Sequence, residues 1–179
     1  MEADNHYLEV LKMGREAVSL MITVKKQSLE EFIEAWNEFL KKNEYLDEDY
    51  LLNADAFEEN GVDPDEVTYM EDEICNLFDM PNDTGLMDFC ESMIREHPGV
   101  EFDIEYSLDW DNCADCLIES YYVAGNRIDY DILEGEYFCS EDDYDEMQDE
   151  IDEEDEDSVE LVDDVYYIVN RHDKGTKYV

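Results

Sequence analysis

Hydrophobic and polar residues alternate along two stretches of the chain, which is the pattern of β-strands with one buried face. Residues 18–24 place apolar side chains at every second position, and residues 100–111 repeat the pattern over a longer run. Aspartate and glutamate fill most of the intervening positions of the second run, so we expect a strand with one buried and one acidic face. That acidic face would carry Asp103, Glu105, Asp109 and Asp111.

A β-hairpin is predicted immediately after this strand. Two β-like runs, 116–123 and 127–133, flank the tripeptide Ala124-Gly125-Asn126. Gly-Asn between two such runs is typical of a tight hairpin loop. A two-residue loop would continue the acidic face onto the hairpin. It would pair Val123 with Ile128 and Tyr121 with Tyr130, leaving Asp129 and Asp131 on the opposite face with Ser120 and Tyr122.

Helical spacing predicts four helices. The first covers residues 4–13 and ends at Gly14, and the second follows the capping-box sequence Ser28-Leu-Glu-Glu31. Asp63-Pro64 is typical of a helix start, and Thr84 is placed to cap a fourth helix that ends at residues 97–99. The apolar positions are Leu29, Phe32, Ile33, Trp36, Phe39 and Leu40 in the second helix; Val67, Met70, Ile74 and Leu77 in the third; and Leu86, Phe89, Cys90, Met93 and Ile94 in the fourth.

Residues 140–157 are the most acidic part of the chain, and their spacing leaves two interpretations open. Tyr144, Met147 and Ile151 would share one face of a helix, but like charges four residues apart weaken helices, so a loop is the alternative. Residues 165–169 are apolar on both faces and predict a buried strand. The acidic segment is therefore expected to lie inside the fold rather than to form a tail.

Together these elements predict an α+β fold, with an antiparallel sheet of four or five strands and helices packed on one face. We expect residues 1–99 to form a mainly helical half with one early strand. Residues 100–179 would form the β-sheet half that contains acidic segment 140–157, and both halves would belong to one compact unit.

The charge of the chain distinguishes it from an ordinary small domain, because most of the chain is a polyanion. The 179 residues include 54 Asp and Glu but only 11 Lys and Arg, for a formal net charge of −43. The excess is segregated, because residues 43–170 contain only Arg95 and Arg127 as strong bases. The first 42 residues are nearly neutral, and we leave open a homodimer formed through them. With 44% hydrophobic and 12% aromatic residues, the chain has enough apolar content for a core.

This charge excludes several classes of partner. DNA, RNA and anionic membrane surfaces would all repel the protein, so we expect it to bind a basic partner. No apolar run approaches the ~20 residues that span a membrane, and the first residues do not form a signal-peptide pattern. Five cysteines without a framework spacing favour reduced thiols and a cytoplasmic protein.

Motifs for catalysis or cofactor binding are not found in the sequence. The three histidines, His6, His97 and His172, do not accompany a recognisable nucleophile motif. Paired carboxylates are numerous, but in so acidic a chain a solvated surface explains them better than acid–base chemistry. We therefore expect no enzyme activity, no catalytic residue and no cofactor.

Metal sites are also not expected. Cys113-Ala-Asp-Cys116 has the CxxC spacing of a zinc ligand pair, but the second pair that a structural site needs is missing. A calcium loop starting at Asp109 would have Ala114 at the position that requires glycine and Ser120 where it requires glutamate.

A small, strongly acidic, folded chain without catalytic motifs resembles the DNA-mimic inhibitors of phages and mobile elements, the anti-CRISPR and antirestriction proteins. This resemblance implies an inhibitor that occupies the nucleic-acid channel of a host defence nuclease or CRISPR effector, in the host cytosol. The alternatives are an acidic chaperone for a basic host protein, a halophilic acidic coat, and a domain with an acidic insert. The carboxylates expected to stand in for phosphates are Asp103, Glu105, Asp109, Asp111, Asp129, Asp131, Glu141, Asp142, Asp143, Asp145, Glu146, Asp149, Glu150, Asp152, Glu153, Glu154 and Asp155.

Overall fold

The computed structural model describes residues 17–42, 51–72, 84–109 and 115–179. Within these ranges, eight strands form one sheet in the order β2-β3-β1-β4-β5-β6-β8-β7, and all neighbours are antiparallel. The strands are β1 (Ala17–Lys25), β2 (Glu58–Glu59), β3 (Glu66–Asp72), β4 (Phe102–Asp109), β5 (Asp115–Ala124), β6 (Arg127–Ser140), β7 (Val159–Val162) and β8 (Val165–Tyr178). The helices are α1 (Leu29–Lys42), α2 (Leu86–Glu96) and α3 (Tyr144–Met147).

The predicted fold class is wrong. A sheet of four or five strands with helices packed on one face was expected, whereas the described residues are mostly antiparallel sheet with eight strands. Helices α1 and α2 pack against central strands, and α3 is a single turn inside the acidic segment. The sheet takes strands from both halves of the chain.

Strand β3 accounts for one part of this error, because its apolar residues were interpreted as a helix. Asp63 does not start a helix. Its Oδ1 accepts a hydrogen bond from the backbone N–H of Asp65 at 2.9 Å and so forms a turn. The strand then pairs with β1, where the hydroxyls of Thr23 and Thr68 are 3.1 Å apart. The pairing with β1 determines which face of the sheet each β3 side chain lies on. The i, i+3 spacing of Val67 and Met70 in the sequence does not reveal this. The predicted helix at 4–13, together with Ile74 and Leu77, lies outside the described residues.

Five other local predictions are confirmed. Strands β1 and β4 and helices α1 and α2 form where expected. The β5–β6 hairpin turns at Gly125-Asn126 and has the predicted register, with Tyr121 opposite Tyr130 and Val123 opposite Ile128. Gly125 has a φ of 63°, which favours glycine at this loop position.

The C-terminal part of the sheet is larger than predicted. Residues 165–169 do form a strand, but they are half-buried, and β8 continues to Tyr178. Strands β6 and β8 pair along most of their 14 residues, with register shifts at Glu134/Gly135 and Tyr137/Cys139. Such bulges increase the local bend and twist of a strand pair.

Aromatic rings form the centre of the core between α1, α2 and the sheet. The ring centroids of Phe32, Phe89 and Phe102 lie 5.0–5.9 Å from one another, and Trp36 lies 5.2 Å from Phe89. All four side chains are at most 3% exposed. Burying aromatic surface of this kind is the main source of stability in a domain, and it offsets the repulsion among surface carboxylates.

Gly135 lies at the bulge of β6, where the backbone of β8 approaches closely. A Cβ atom added there would meet the carbonyl oxygen of Ile168 and would lie 3.1 Å from Cα of Val169. We predict that Gly135→Ala lowers the free energy of unfolding by about 1–3 kcal/mol, because backbone atoms must move. Urea denaturation followed by circular dichroism measures the change.

Gly61→Ala is the matched control, since nothing lies within 4 Å of a Cβ atom at that position. It should leave stability unchanged or raise it slightly. Equal stability of the two variants would show that β6 and β8 do not approach as closely at Gly135 as described.

Candidate interaction surface

The sheet face opposite α1 and α2, here called the open face, displays the acidic rows that the sequence predicted. The strand registers place Asp103, Tyr122 and Asp129 in one row across β4, β5 and β6. Glu105, Ser120 and Asp131 form the next row. Four of the predicted phosphate-mimicking carboxylates thus share one face. Asp109 pairs with Cys116 at the end of β4, and Asp111 lies outside the described residues.

Two of these four carboxylates are neutralised within the protein. Asp129 lies 3.1 Å from the Arg127 guanidinium and accepts a hydrogen bond from the hydroxyl of Thr176 at 2.6 Å. Asp131 lies 2.7 Å from His172 Nε2 and 3.1 Å from Lys174 Nζ. Their charge is therefore already compensated before any partner arrives.

Asp103 and Glu105 differ from that pair, because no described Lys, Arg or His lies within ion-pair distance of either carboxylate. Burial raises the pKa of Asp103 to about 6, and the neighbouring charges of Glu105 and Glu66 add to the effect. Glu105 itself is exposed. The open face therefore carries less free negative charge than its composition suggests.

Residues 141–157, here called the acidic segment, are the main concentration of uncompensated charge. Thirteen of these 17 residues are Asp or Glu. Within the described parts of the chain, none of them forms an ion pair, whereas eight of the nine described Lys and Arg contact carboxylates elsewhere. Eleven predicted site residues belong to this segment; all are exposed except Asp155, which is half-buried.

Despite its charge, the acidic segment follows a defined path against the sheet. Its first residue, Glu141, donates a backbone hydrogen bond to the carbonyl of Asp164 at 2.9 Å. The ring of Tyr144 stacks on that of Tyr166 in β8, with centroids 3.8 Å apart and an interplanar angle of 16°. Glu141–Asp143, α3 and Gln148–Glu150 form successive helical turns. Both earlier interpretations are thus partly correct, because a short helical stretch precedes an irregular one.

A groove lies between the open face and the β7–β8 turn. It has a volume of about 380 Å³. Its lining combines apolar side chains, serine hydroxyls and carboxylates. The floor contains the apolar residues Met21, Met70, Ile118 and Leu133 together with Ser19, Ser107 and Ser120; the wall contains Val162 and Tyr167; and the carboxylates, here called the rim, are Glu105, Asp131 and Asp163.

His172 holds three strands together at the edge of this groove. Its Nδ1 lies 2.6 Å from Glu160 on β7, and its Nε2 lies 2.7 Å from Asp131 on β6. Because carboxylate oxygens accept hydrogen bonds, both ring nitrogens donate to them when the ring is protonated to the imidazolium. These hydrogen bonds, first that of Glu160 and then that of Asp131, raise the pKa of His172.

Glu119 is a buried carboxylate on the helix side of the sheet, at 6% exposure. It accepts a 2.5 Å hydrogen bond from the hydroxyl of Thr84, and Thr84 in turn accepts one from the N–H of Leu86 at the start of α2. Burial raises the pKa of the neighbouring Tyr121 phenol, and the charge of Glu119 raises it further. Thr84 therefore joins the start of α2 to β5, although the N-cap position is Gly85 and not Thr84 as predicted.

Sequence reasoning missed the groove, the partners of His172 and the acidic residues at the β7–β8 turn. Glu156 and Asp157 are exposed, as most carboxylates of the acidic segment are, and belong with it. Asp163 and Asp164 form a two-residue hairpin loop with φ values of 48° and 66°. The short run Val159-Glu-Leu-Val162, with acidic residues close to both ends, was the available signal for this hairpin, and it is only four residues long.

Cys90, Cys116 and Cys139 are buried free thiols, and Cys113 lies outside the described residues. In the described ranges, no group of three or more His, Cys, Asp or Glu side chains could hold a metal ion. The described helices are also all too short or too polar to cross a membrane.

Comparison with known proteins gives no relative. No protein-family model, curated protein or solved structure matches this chain.

We predict that the protein loses stability as pH rises through the pKa of His172. A raised pKa means that the imidazolium stabilises the fold fully below its unfolded value of about 6.5, and that this contribution is lost above the folded value. The free energy of unfolding should therefore fall as the pH rises above about 6.5, and His172→Gln should flatten this slope. Denaturant titrations at several pH values measure it.

Lys174→Gln is the matched control, because it removes a cation from the same Asp131 carboxylate without adding or removing a group that titrates in this window. It should lower stability but keep the slope. The same slope in the wild type and His172→Gln would show that His172 does not link the strands as an imidazolium.

Proposed function

We propose that this protein is an acidic mimic of nucleic acid, which inhibits a basic host protein by occupying its DNA- or RNA-binding channel. A CRISPR effector or a restriction enzyme in the host cytosol is the expected kind of target. The observation that carries the proposal is the acidic segment, with 13 carboxylates, no internal ion pair among the described residues, and a backbone fixed against the sheet. No catalytic group is needed for this function.

The spacing of the carboxylates supports the proposal. In the helical turns of residues 141–150, acidic residues recur at four-residue intervals in two rows. Four residues rise ~6 Å in an α-helix and ~8 Å in a 3₁₀-helix, which is of the order of the step between phosphates along one strand. The rows are Glu141, Asp145 and Asp149, and Asp142, Glu146 and Glu150.

The absence of internal partners in the described ranges supports it further. Closely spaced like charges repel and destabilise the compact state, so a partner that supplies Lys and Arg side chains would relieve this repulsion on binding. Opposite charges also accelerate the encounter between two proteins. An arrangement that is already ordered loses less conformational entropy when it binds.

An acidic chaperone for a basic host protein would use the same carboxylates, but it would not need them in a fixed arrangement. The stacking of Tyr144 on Tyr166 and the hydrogen bond from Glu141 to Asp164 favour the mimic, because they hold the segment in one place. The two functions therefore make different predictions for a variant that disturbs the arrangement of the carboxylates without changing their number. Such a variant should impair a mimic but not a chaperone.

Tyr144→Ala tests geometry without changing charge. We predict that the wild-type protein displaces DNA from one member of a panel of nucleic-acid-binding proteins at ~150 mM salt, conditions that screen general attraction. Loss of the Tyr144–Tyr166 stack should raise the concentration for half-displacement about tenfold. Competition by fluorescence anisotropy measures it, with a CRISPR effector and a restriction enzyme in the panel.

Tyr144→Phe is the matched control, because it keeps the stacked ring, and it should inhibit like the wild type. If Tyr144→Ala is as active as the wild type, and every basic protein is displaced weakly and only at low salt, the protein is a general polyanion. That result would reject the mimic hypothesis and favour the acidic-chaperone hypothesis.

Removing a cluster of charges tests the acidic segment itself. We predict that a fourfold variant of the segment loses displacement at least tenfold, as expected when several charge-assisted contacts are lost together, while Asp145→Asn alone has little effect because the charge is redundant. The same competition assay measures both. The fourfold variant is Asp145→Asn, Glu146→Gln, Asp149→Asn and Glu150→Gln.

A control variant changes net charge by the same amount outside the segment, at exposed acidic residues for which no ion pair is described. It consists of Glu30→Gln, Glu34→Gln, Glu58→Gln and Glu71→Gln. Equal losses in the two variants would mean that total charge, rather than the acidic segment, determines binding.

A further inference from the structure

The groove between the open face and the β7–β8 turn is a second binding site, separate from the acidic segment. We propose that it binds a basic peptide segment in which an Arg or Lys stands beside an apolar side chain. The apolar side chains of its floor and its free carboxylates are two distinct features, and such a segment satisfies both. The inference goes beyond the proposed function and does not depend on it, because no residue of the acidic segment lines the groove.

The floor of the groove is suited to an apolar side chain. Leu133 is 2% exposed and closes its base, whereas Met70 is 61% exposed and lies at the open side. Methionine adapts its shape to a ligand, and for that reason it is frequent on peptide-binding surfaces. An apolar side chain laid against Met70 and Ile118 would remove from water a surface that is exposed in the free protein.

The rim supplies the charge complementarity. Glu105 on β4 and Asp163 at the β7–β8 turn are exposed, and no described cation lies within ion-pair distance of either one. Asp131, the third rim carboxylate, is already compensated by His172 and Lys174. The free charges therefore stand at two places on the rim, and a guanidinium or ammonium group is the ligand that they fit.

The volume of the groove limits the size of the ligand that can bind in it. A volume of about 380 Å³ is at the lower end of the range for small-ligand sites and accommodates a few side chains. It is too small for a folded domain to enter, and its carboxylates repel nucleic acid and acidic peptides. A short peptide segment with alternating basic and apolar side chains satisfies the charge, the apolar floor and the volume together.

The test uses the full-length protein and a fluorescein-labelled peptide of about eight residues that alternates Arg and Leu, an extended length of ~27 Å. Two control peptides alternate Arg with Gly, and Ser with Leu. Fluorescence anisotropy at ~150 mM salt should show binding of the Arg-Leu peptide, with both controls at least about tenfold weaker. No nucleic-acid-binding protein takes part, so this result is independent of the competition assays.

Two groove variants locate the binding. Met70→Ser, and the pair Glu105→Gln with Asp163→Asn, should each weaken the Arg-Leu peptide about tenfold. Asparagine tolerates the left-handed backbone at position 163, so the turn is kept. Their matched controls, Val62→Ser at a 95% exposed apolar site and Glu58→Gln with Glu71→Gln, should bind like the wild type.

Two results would overturn the proposal. If the Arg-Gly peptide binds equally well and only the fourfold variant of the acidic segment weakens it, the peptide binds to general negative charge. If the protein forms a dimer by analytical ultracentrifugation and Met70→Ser makes it monomeric, the groove is covered by a second copy of the chain.

Discussion

Repulsion among 54 carboxylates is the constraint on which the arrangement of this protein depends, because only 11 Lys and Arg oppose it. Four of the nine described Lys and Arg join different parts of the fold. Lys25 contacts Asp63 and Glu66 where β1 meets the start of β3, and Lys177 on β8 contacts Glu91 on α2. The acidic segment receives none of them in the described ranges. It is held by aromatic stacking and backbone hydrogen bonds instead, and these leave its charge free.

The residues that stabilise the fold are therefore different from those to which we assign binding of a partner. The aromatic core around Phe32, Trp36 and Phe89 and the paired charges of the sheet hold the fold together. The acidic segment and the groove contribute little to that core, and we assign recognition to them. A partner would meet two surfaces of different character: a dense row of charges and a small apolar depression with a charged rim. Under the two proposals, charge density would provide attraction, and the shape of the groove would provide selectivity.

The parts of the fold that the sequence predicts are those decided by local rules. The alternation of residues 102–109 and the Gly125-Asn126 loop define strand faces and hairpin register without knowledge of the rest of the chain. Strand β3 was wrongly predicted as a helix because its identity depends on pairing with β1, which is distant in sequence. The role of His172 was missed for the same reason, since Glu160 and Asp131 reach it only through the β6–β8 and β7–β8 registers. For the candidate carboxylates, the sequence predicts which strand face they lie on. It does not predict which of them have their charge neutralised by a basic residue on a neighbouring strand, as His172 and Lys174 do for Asp131.

The position of the acidic segment in a single connection of the sheet has an evolutionary consequence. The segment joins the end of β6 at Ser140 to the edge strand β7 at Val159, and both of these strands pair with β8. Loop-closure entropy grows slowly, and a doubling of loop length costs only ~0.6 kcal/mol. The segment can therefore change in length and composition while the sheet below it stays the same. A lineage could retain this scaffold and redirect it to a new target by substitutions or insertions in one loop.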